Sequence, residues 1–276
     1  MADTATDLAP EIQNLVTEDD TPVDNMPSEK HQRLLTEALY SSWDGPGAGR
    51  PFLAAANVGV FPLARNPAIV PDVFLSLDVE VAQDWWQKEH RSYLLWEFGK
   101  PPDVVIEIVS NTEGGEADEK RQKYARMRVI YYVIYDPLRQ VMPDVLTIYR
   151  LSGTDYERQS SLRFPDIGLG VTLWDGTYEG KTDTWLRWTD ADGNLILTGK
   201  ERAEQEHQRA EQEHQRAEQE RLDKEQTLQQ LAQERQRAEQ EHLDKEQTLQ
   251  QLAQERQRAD RLAALLRQLG HDPGQL

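Results

Sequence analysis

The chain has 276 residues, with 49 acidic side chains against 31 basic ones, a net charge of −18 and no cysteine. That length forms one or two domains with a real core. The lack of cysteine excludes disulfides and thiolate metal sites and fits a reducing, cytoplasmic setting. The charge is −14 over residues 1–199 (18 basic, 32 acidic) and −4 beyond (13 and 17). It opposes non-specific binding to phosphate backbones unless a basic groove or a metal inverts the field locally.

Residues 1–27 are acidic and without periodicity, and they read as a disordered arm. The opening MADTATDLAPEIQNLVTEDD lacks the basic-then-apolar order of a signal peptide. No apolar run reaches the ~18–20 residues of a membrane span. A helix follows, with Ser28 as its expected N-cap and Leu34, Leu35, Ala38 and Leu39 on one face. WDGPGAGRP (43–51) breaks it.

FLAAANVGVF (52–61) and PDVFLSLDVEV (71–81) read as strands, and 82–101 is aromatic and polar. VVIEIVS (104–110) is the most strand-like run, bounded by Pro-Pro-Asp and Asn-Thr-Glu-Gly-Gly. ADEKRQKYARM (117–127) reads as a helix, VIYYVIYDP (129–137) as a strand stopped by Asp-Pro, and LTIYRLSG (146–153) as an outer strand. The turn-rich segment 164–197 suggests short strands and loops covering the sheet. This order predicts an α/β fold: a central mixed sheet flanked by helices over 28–198, followed by a long charged helix over 199–276.

In that last segment AEQEHQR occurs twice, at 203 and 210, and LDKEQTLQQLAQERQRA recurs after 21 residues, at 222 and 243. Ala203, Ala210, Ala217, Lys224, Leu231, Ala238, Lys245, Leu252 and Ala259 sit seven apart, and for all but the last the position four further on is His, Arg or Leu. Such a seam is too polar for a strong zipper and predicts a charge-laced helix or weak coiled coil. His207, His214 and His242 fall on it as a solvated face, too far apart along a helix to share a metal.

Glu107 is the most informative residue, because it interrupts an apolar run that should be buried on both faces. A buried carboxylate must be paired, protonated or metal-bound. The ordinary alternative is a strand face open to water. Asp72, at the entry of another apolar strand, is the preferred partner for a shared cation. Asp103 lies on the same strand face, but four strand residues put it ~13 Å away, too far for one Mg²⁺ with ligands at ~2.1 Å. Lys120 and Tyr124 share one face of the following helix, and Lys123 is the competing lysine.

Together these segments resemble the Uma-type family of predicted, restriction-like endonucleases in the PD-(D/E)XK nuclease-like superfamily. The matching residues are Pro71 and Asp72; Asp103, Glu107 and Ser110; Glu119, Lys120 and Tyr124; Asp136 and Pro137. GLGVTLWDGTYEG and the ending LAALLRQLGHDP are also similar to members with a heptad-rich C-terminus. The resemblance implies a restriction-endonuclease-like core. It implies Mg²⁺ (or Mn²⁺) bound by Asp72, Glu107 and the Ile108 backbone carbonyl, with Lys120 as the basic residue. Superfamily members commonly place this lysine two residues after the glutamate, where Val109 stands here. First-helix carboxylates often assist, which makes Glu29 and Glu37 candidates, with His31 a possible neighbour.

The expected function is metal-dependent hydrolysis of phosphodiester bonds in nucleic acid, DNA first. The competing reading is a catalytically silent scaffold acting through its C-terminal helix, on a second copy or a partner protein. A Gly-x-Ser-x-Gly elbow, a P-loop and a dinucleotide fingerprint are all missing from the sequence.

Overall fold

The computed structural model describes residues 25–47, 49–64, 66–110 and 116–268. The chain divides into two compact units, the first ending at Gln205 and the second starting at Glu206. Nearly all of the expected acidic arm lies outside the described residues.

Helix α1 spans Met26–Ser42, and its N-cap is Asn25, not Ser28. The Asn25 side chain accepts a hydrogen bond from the Ser28 amide at 3.0 Å. Asn is a strong cap, and Pro27 in the first turn has no N–H to leave unpaired. The expected apolar face is buried, and it also carries His31 and Gln32.

A six-stranded mixed sheet forms the centre, in the order β1-β3-β5-β6-β7-β8. Its strands are β1 (Phe52–Ala56), β3 (Val73–Leu77), β5 (Val104–Ile108), β6 (Tyr131–Tyr135), β7 (Leu146–Ser152) and β8 (Asp155–Gln159). Every residue of β3, β5 and β6 is buried, as befits strands covered on both faces. The run 52–61 is broken in two: Asn57 takes a left-handed φ of 54°, and the short β2 (Val60–Phe61) pairs instead with β4 (Tyr93–Leu94). Asp78, at φ 60°, ends β3. The aromatic stretch before β5 also forms a short helix α2 (Leu95–Phe98). β8 was not legible as a strand, because an edge strand half open to water needs few apolar residues.

Strands β5 and β6 are parallel, so the chain must cross over between them. Helix α3 (Glu116–Met127) is that crossover. Val104, Ile106 and Ile108 pack with Leu35 and Leu39 of α1 on one face, while Val105 packs with Tyr124 of α3 and Tyr132 on the other. Alternation along the strand places Glu107 on the α3 face.

The turn-rich segment forms longer strands than expected. With the short β9 (Arg163–Phe164), the ten-residue β10 (Leu169–Tyr178) and β11 (Lys181–Asp190) make a three-stranded sheet. Glu179 and Gly180 both have positive φ at the tight turn, as a two-residue hairpin demands. Val171, Leu186 and Trp188 join the core on the α1 side.

Helix α4 runs unbroken from Gly199 to Gln268, about 105 Å at 1.5 Å per residue. It opens on a capping box: the Thr198 amide donates to Glu201 Oε2 at 2.8 Å, and the Glu201 amide donates to Thr198 Oγ1 at 3.2 Å. The buried Arg187 grips both oxygens of Glu201 at 2.7 Å. Among the described residues no helix is long and apolar enough to cross a membrane.

Candidate active site

Asp72 stands directly before β3, and Glu107 is the fourth residue of β5. The β3–β5 ladder ends at the pair Val73 and Ile106, so the Ile108 amide extends past its neighbour strand. Asp72 Oδ2 accepts that N–H at 2.6 Å. Asp72 Oδ1 accepts from Gln32 Nε2 of α1 at 3.0 Å. The Asp72 carboxyl also acts on Glu107, drawing its pKa down.

The crossover helix supplies the rest. Lys120 Nζ is 2.9 Å from Glu107 Oε2, and the Tyr124 hydroxyl donates to Glu107 Oε1 at 2.6 Å. These two side chains are one helical turn apart, so both reach one carboxylate. Glu107 is only 7 % exposed. Burial pushes its carboxyl above the usual carboxylate range, although Lys120, Tyr124 and Asp72 all pull it down. Burial, with Glu107 beside it, holds the Tyr124 phenol well above its ordinary value, so it stays a proton donor.

Among the described residues two carboxyl groups, Glu107 buried and Asp72 half-buried, thus meet beside one ammonium group. With both ionised, the cluster carries one surplus negative charge, which burial makes costly. A shared proton or a cation relieves it. The donors are hard oxygens, and each carboxylate oxygen can accept more than one contact. That set suits Mg²⁺, which needs only one or two carboxylates and keeps waters or substrate phosphates. It does not suit zinc, which wants nitrogen or sulfur ligands. Among the described residues no group of three or more His, Cys, Asp or Glu forms a self-sufficient metal cage.

The other sequence candidates are held elsewhere. Glu29 pairs with Arg33 at 2.7 Å, and Glu37 accepts from the Gly199 amide at 2.8 Å. Asp103 accepts from Lys100 at 2.5 Å and from the Leu77 amide at 2.8 Å. Lys123 pairs with Glu119 at 2.6 Å. His31 is buried, its Nδ1 against the Pro27 carbonyl at 2.8 Å and its ring against Tyr135 and Trp185. Burial lowers its pKa, so the ring stays neutral.

Sequence reasoning missed Gln32 and Asn57. Asn57 Nδ2 donates to Gln32 Oε1 at 2.9 Å, and the Asn57 amide donates to the Asp72 carbonyl at 3.3 Å. This amide pair is what α1 and the β1–β2 turn bring to Asp72. One signal was available: Gln32 falls on the same helical face as Leu35 and Leu39, where a polar side chain needs a buried partner.

The comparison with curated proteins finds no match. Among solved structures, the chain is similar to a protein from Anabaena variabilis ATCC 29413 described as a putative nuclease, at 15% identity and a TM-score of 0.36, over 51% of this chain and 71% of that one. The family described as Uma2, putative restriction endonuclease, matches residues 19–173, a span that contains Asp72, Glu107, Lys120 and Tyr124. More than half of the chain lies within that match, and the chain belongs to the Uma2 family of putative restriction endonucleases.

Proposed function

We propose that the first unit is a divalent-metal-dependent endonuclease that hydrolyses phosphodiester bonds of DNA in a cytoplasmic setting. The observation that supports this most is the meeting of Asp72 and Lys120 with the buried Glu107 in one partly buried cluster. Asp72, Glu107 and the Ile108 carbonyl are the ligands for Mg²⁺ or Mn²⁺. A cation held there would supply polarisation of a phosphoryl oxygen and activation of a water.

The remaining work belongs to the side chains. Tyr124 holds one oxygen of Glu107 and fixes its rotamer. The Lys120 ammonium stabilises charge developing on the phosphoryl oxygens. Gln32 and Asn57 orient Asp72. In an acidic protein, a cation and Lys120 together supply the local positive field that a phosphate backbone requires.

Plasmid DNA cleavage with Mg²⁺ or Mn²⁺ tests the proposal, with wild type set against Glu107→Ala and a chelator control. Cleavage by wild type alone is the expected result. Equal cleavage by both proteins would overturn it.

One observation favours a second reading, a nuclease fold kept as a scaffold. The four carboxylate oxygens of Asp72 and Glu107 each already accept a hydrogen bond from within the fold. If that reading holds, wild type cleaves no substrate with either metal, and truncation after Gln205, where the first unit ends, abolishes partner binding without changing the fold of that unit.

A further inference from the structure

Helix α4 presents a regular face. Leu228, Leu231, Leu249 and Leu252 are 66%, 47%, 68% and 59% exposed. In a seven-residue register, Leu228 and Leu249 take position a, and Leu231 and Leu252 take position d. Residues 228–255 are then four heptads, apolar at each end, with Arg235, Ala238, His242 and Lys245 along the seam between. The first and last leucines are about 36 Å apart along the axis.

The flanks of this seam are of one sign. From residue 204 to 260 every e and g position is Glu, Asp, Ala or Thr, and none is Lys or Arg. In a parallel pair of identical helices, each g residue meets the next e residue of its partner. Glu234 then faces Glu239, and Glu241 faces Glu246, while Arg235 and Lys245 face their own copies. Reversing one helix sets e against e and g against g, which is again acid against acid. Like charges in such positions destabilise pairing. The leucines invite a partner helix, and the flanks reject a second copy of this chain.

We propose that residues 228–255 take a helix of another protein that is apolar opposite the four leucines, polar between them and basic along both flanks. Charge complementarity selects that partner, and the two leucine pairs set its register. The inference is independent of the nuclease chemistry.

The test uses the full-length protein and two synthetic four-heptad helices. Both carry Leu at a and d of the end heptads and Gln at a and d of the middle two. One has Lys at every e and g position, and the other has Glu. Fluorescence anisotropy at about 50 mM NaCl, where screening is weak, should show the Lys helix binding at least about tenfold tighter than the Glu helix. The protein alone should sediment as a monomer. The combined variant L228A/L231A/L249A/L252A keeps helix content by circular dichroism, since Ala favours helix, and should bind the Lys helix at least about tenfold more weakly. The variant E234K/E239K/E241K/E246K should invert the preference. Equal binding of the two helices would overturn the proposal. So would undiminished binding by the alanine variant, or a dimer of the protein alone that the alanine variant dissolves.

Discussion

The two ends of β5 carry the same kinds of side chain in different proportions. At its start, Asp103 accepts from Lys100, and nearby Asp78 is gripped by Arg50 through two hydrogen bonds of 2.6 and 2.5 Å. Two carboxylates there meet two cations, and the charge closes. At its other end, Asp72 and Glu107 meet, and the ammonium seen on Glu107 among the described residues is that of Lys120. A balanced cluster stabilises a fold and asks for nothing further. An unbalanced, buried cluster is tolerated where chemistry needs it. Neutrality therefore separates the two ends where residue type does not.

Exchanging a carboxylate for its amide at each end should break the comparison most visibly. Glu107→Gln is expected to lower metal-dependent DNA cleavage at least about a hundredfold, the scale lost with a group that organises transition-state charge. It should also raise the unfolding midpoint by about 2–4 °C, roughly 1 kcal/mol, by removing the surplus charge. Asp103→Asn should do the reverse: cleavage within a few-fold of wild type, and a stability loss of about 1–3 kcal/mol from a broken charge-assisted bond. Cleavage assays and thermal unfolding on the same two preparations check both. If the variants lose activity and stability alike, the two ends are not different in kind.

Metal binding sharpens the contrast at smaller amplitude. Saturating Mg²⁺ should stabilise wild type by up to about 2.7 kcal/mol at a hundredfold excess over Kd. It should leave Glu107→Gln unmoved and shift Asp103→Asn as much as wild type. Calorimetric unfolding with and without the ion measures this. An equal shift in Glu107→Gln would place the cation elsewhere.

Much of this contrast was legible in the residues. VVIEIV announced a buried strand with a misplaced acid, and Lys120 and Tyr124 are spaced to reach one point from one helix. Strand spacing separated Asp103 from Glu107. What stayed hidden depends on packing. Gln32 is neutral and on a helix, so a search for first-helix carboxylates turned to Glu29 and Glu37, which the structure spends on Arg33 and on the start of α4. The β10–β11 hairpin was obscured by its own Gly, Asp and Thr residues. Its strands are held by cross-strand neighbours and by burial of Trp185, Leu186 and Trp188, and such pairing is invisible in a linear pattern. The tail read clearly as helix because its heptads are local.

Asp136 supplies the finest test, because it sits just past β6, the strand beside β5, and shifts the other way from Glu107. Burial would push its carboxyl up, but the backbone amides of Met142, Val141, Gln140 and Arg139 outweigh it and hold the group below its ordinary value. A carboxyl depressed in the folded state contributes stability above its unfolded pKa of about 3.9, and loses it as pH falls through the folded value. A carboxyl raised in the folded state, as at Glu107, costs stability as pH rises from the unfolded value of about 4.3 toward the folded one. Asp136→Asn should therefore flatten the loss of stability on acidification below about pH 4, while Glu107→Gln should flatten a loss on going upward from about pH 4. Denaturant unfolding of the metal-free protein across that range separates the two slopes. Slopes of the same sign in both variants would mean that the β5 cluster is balanced after all, and the distinction between its two ends would fail.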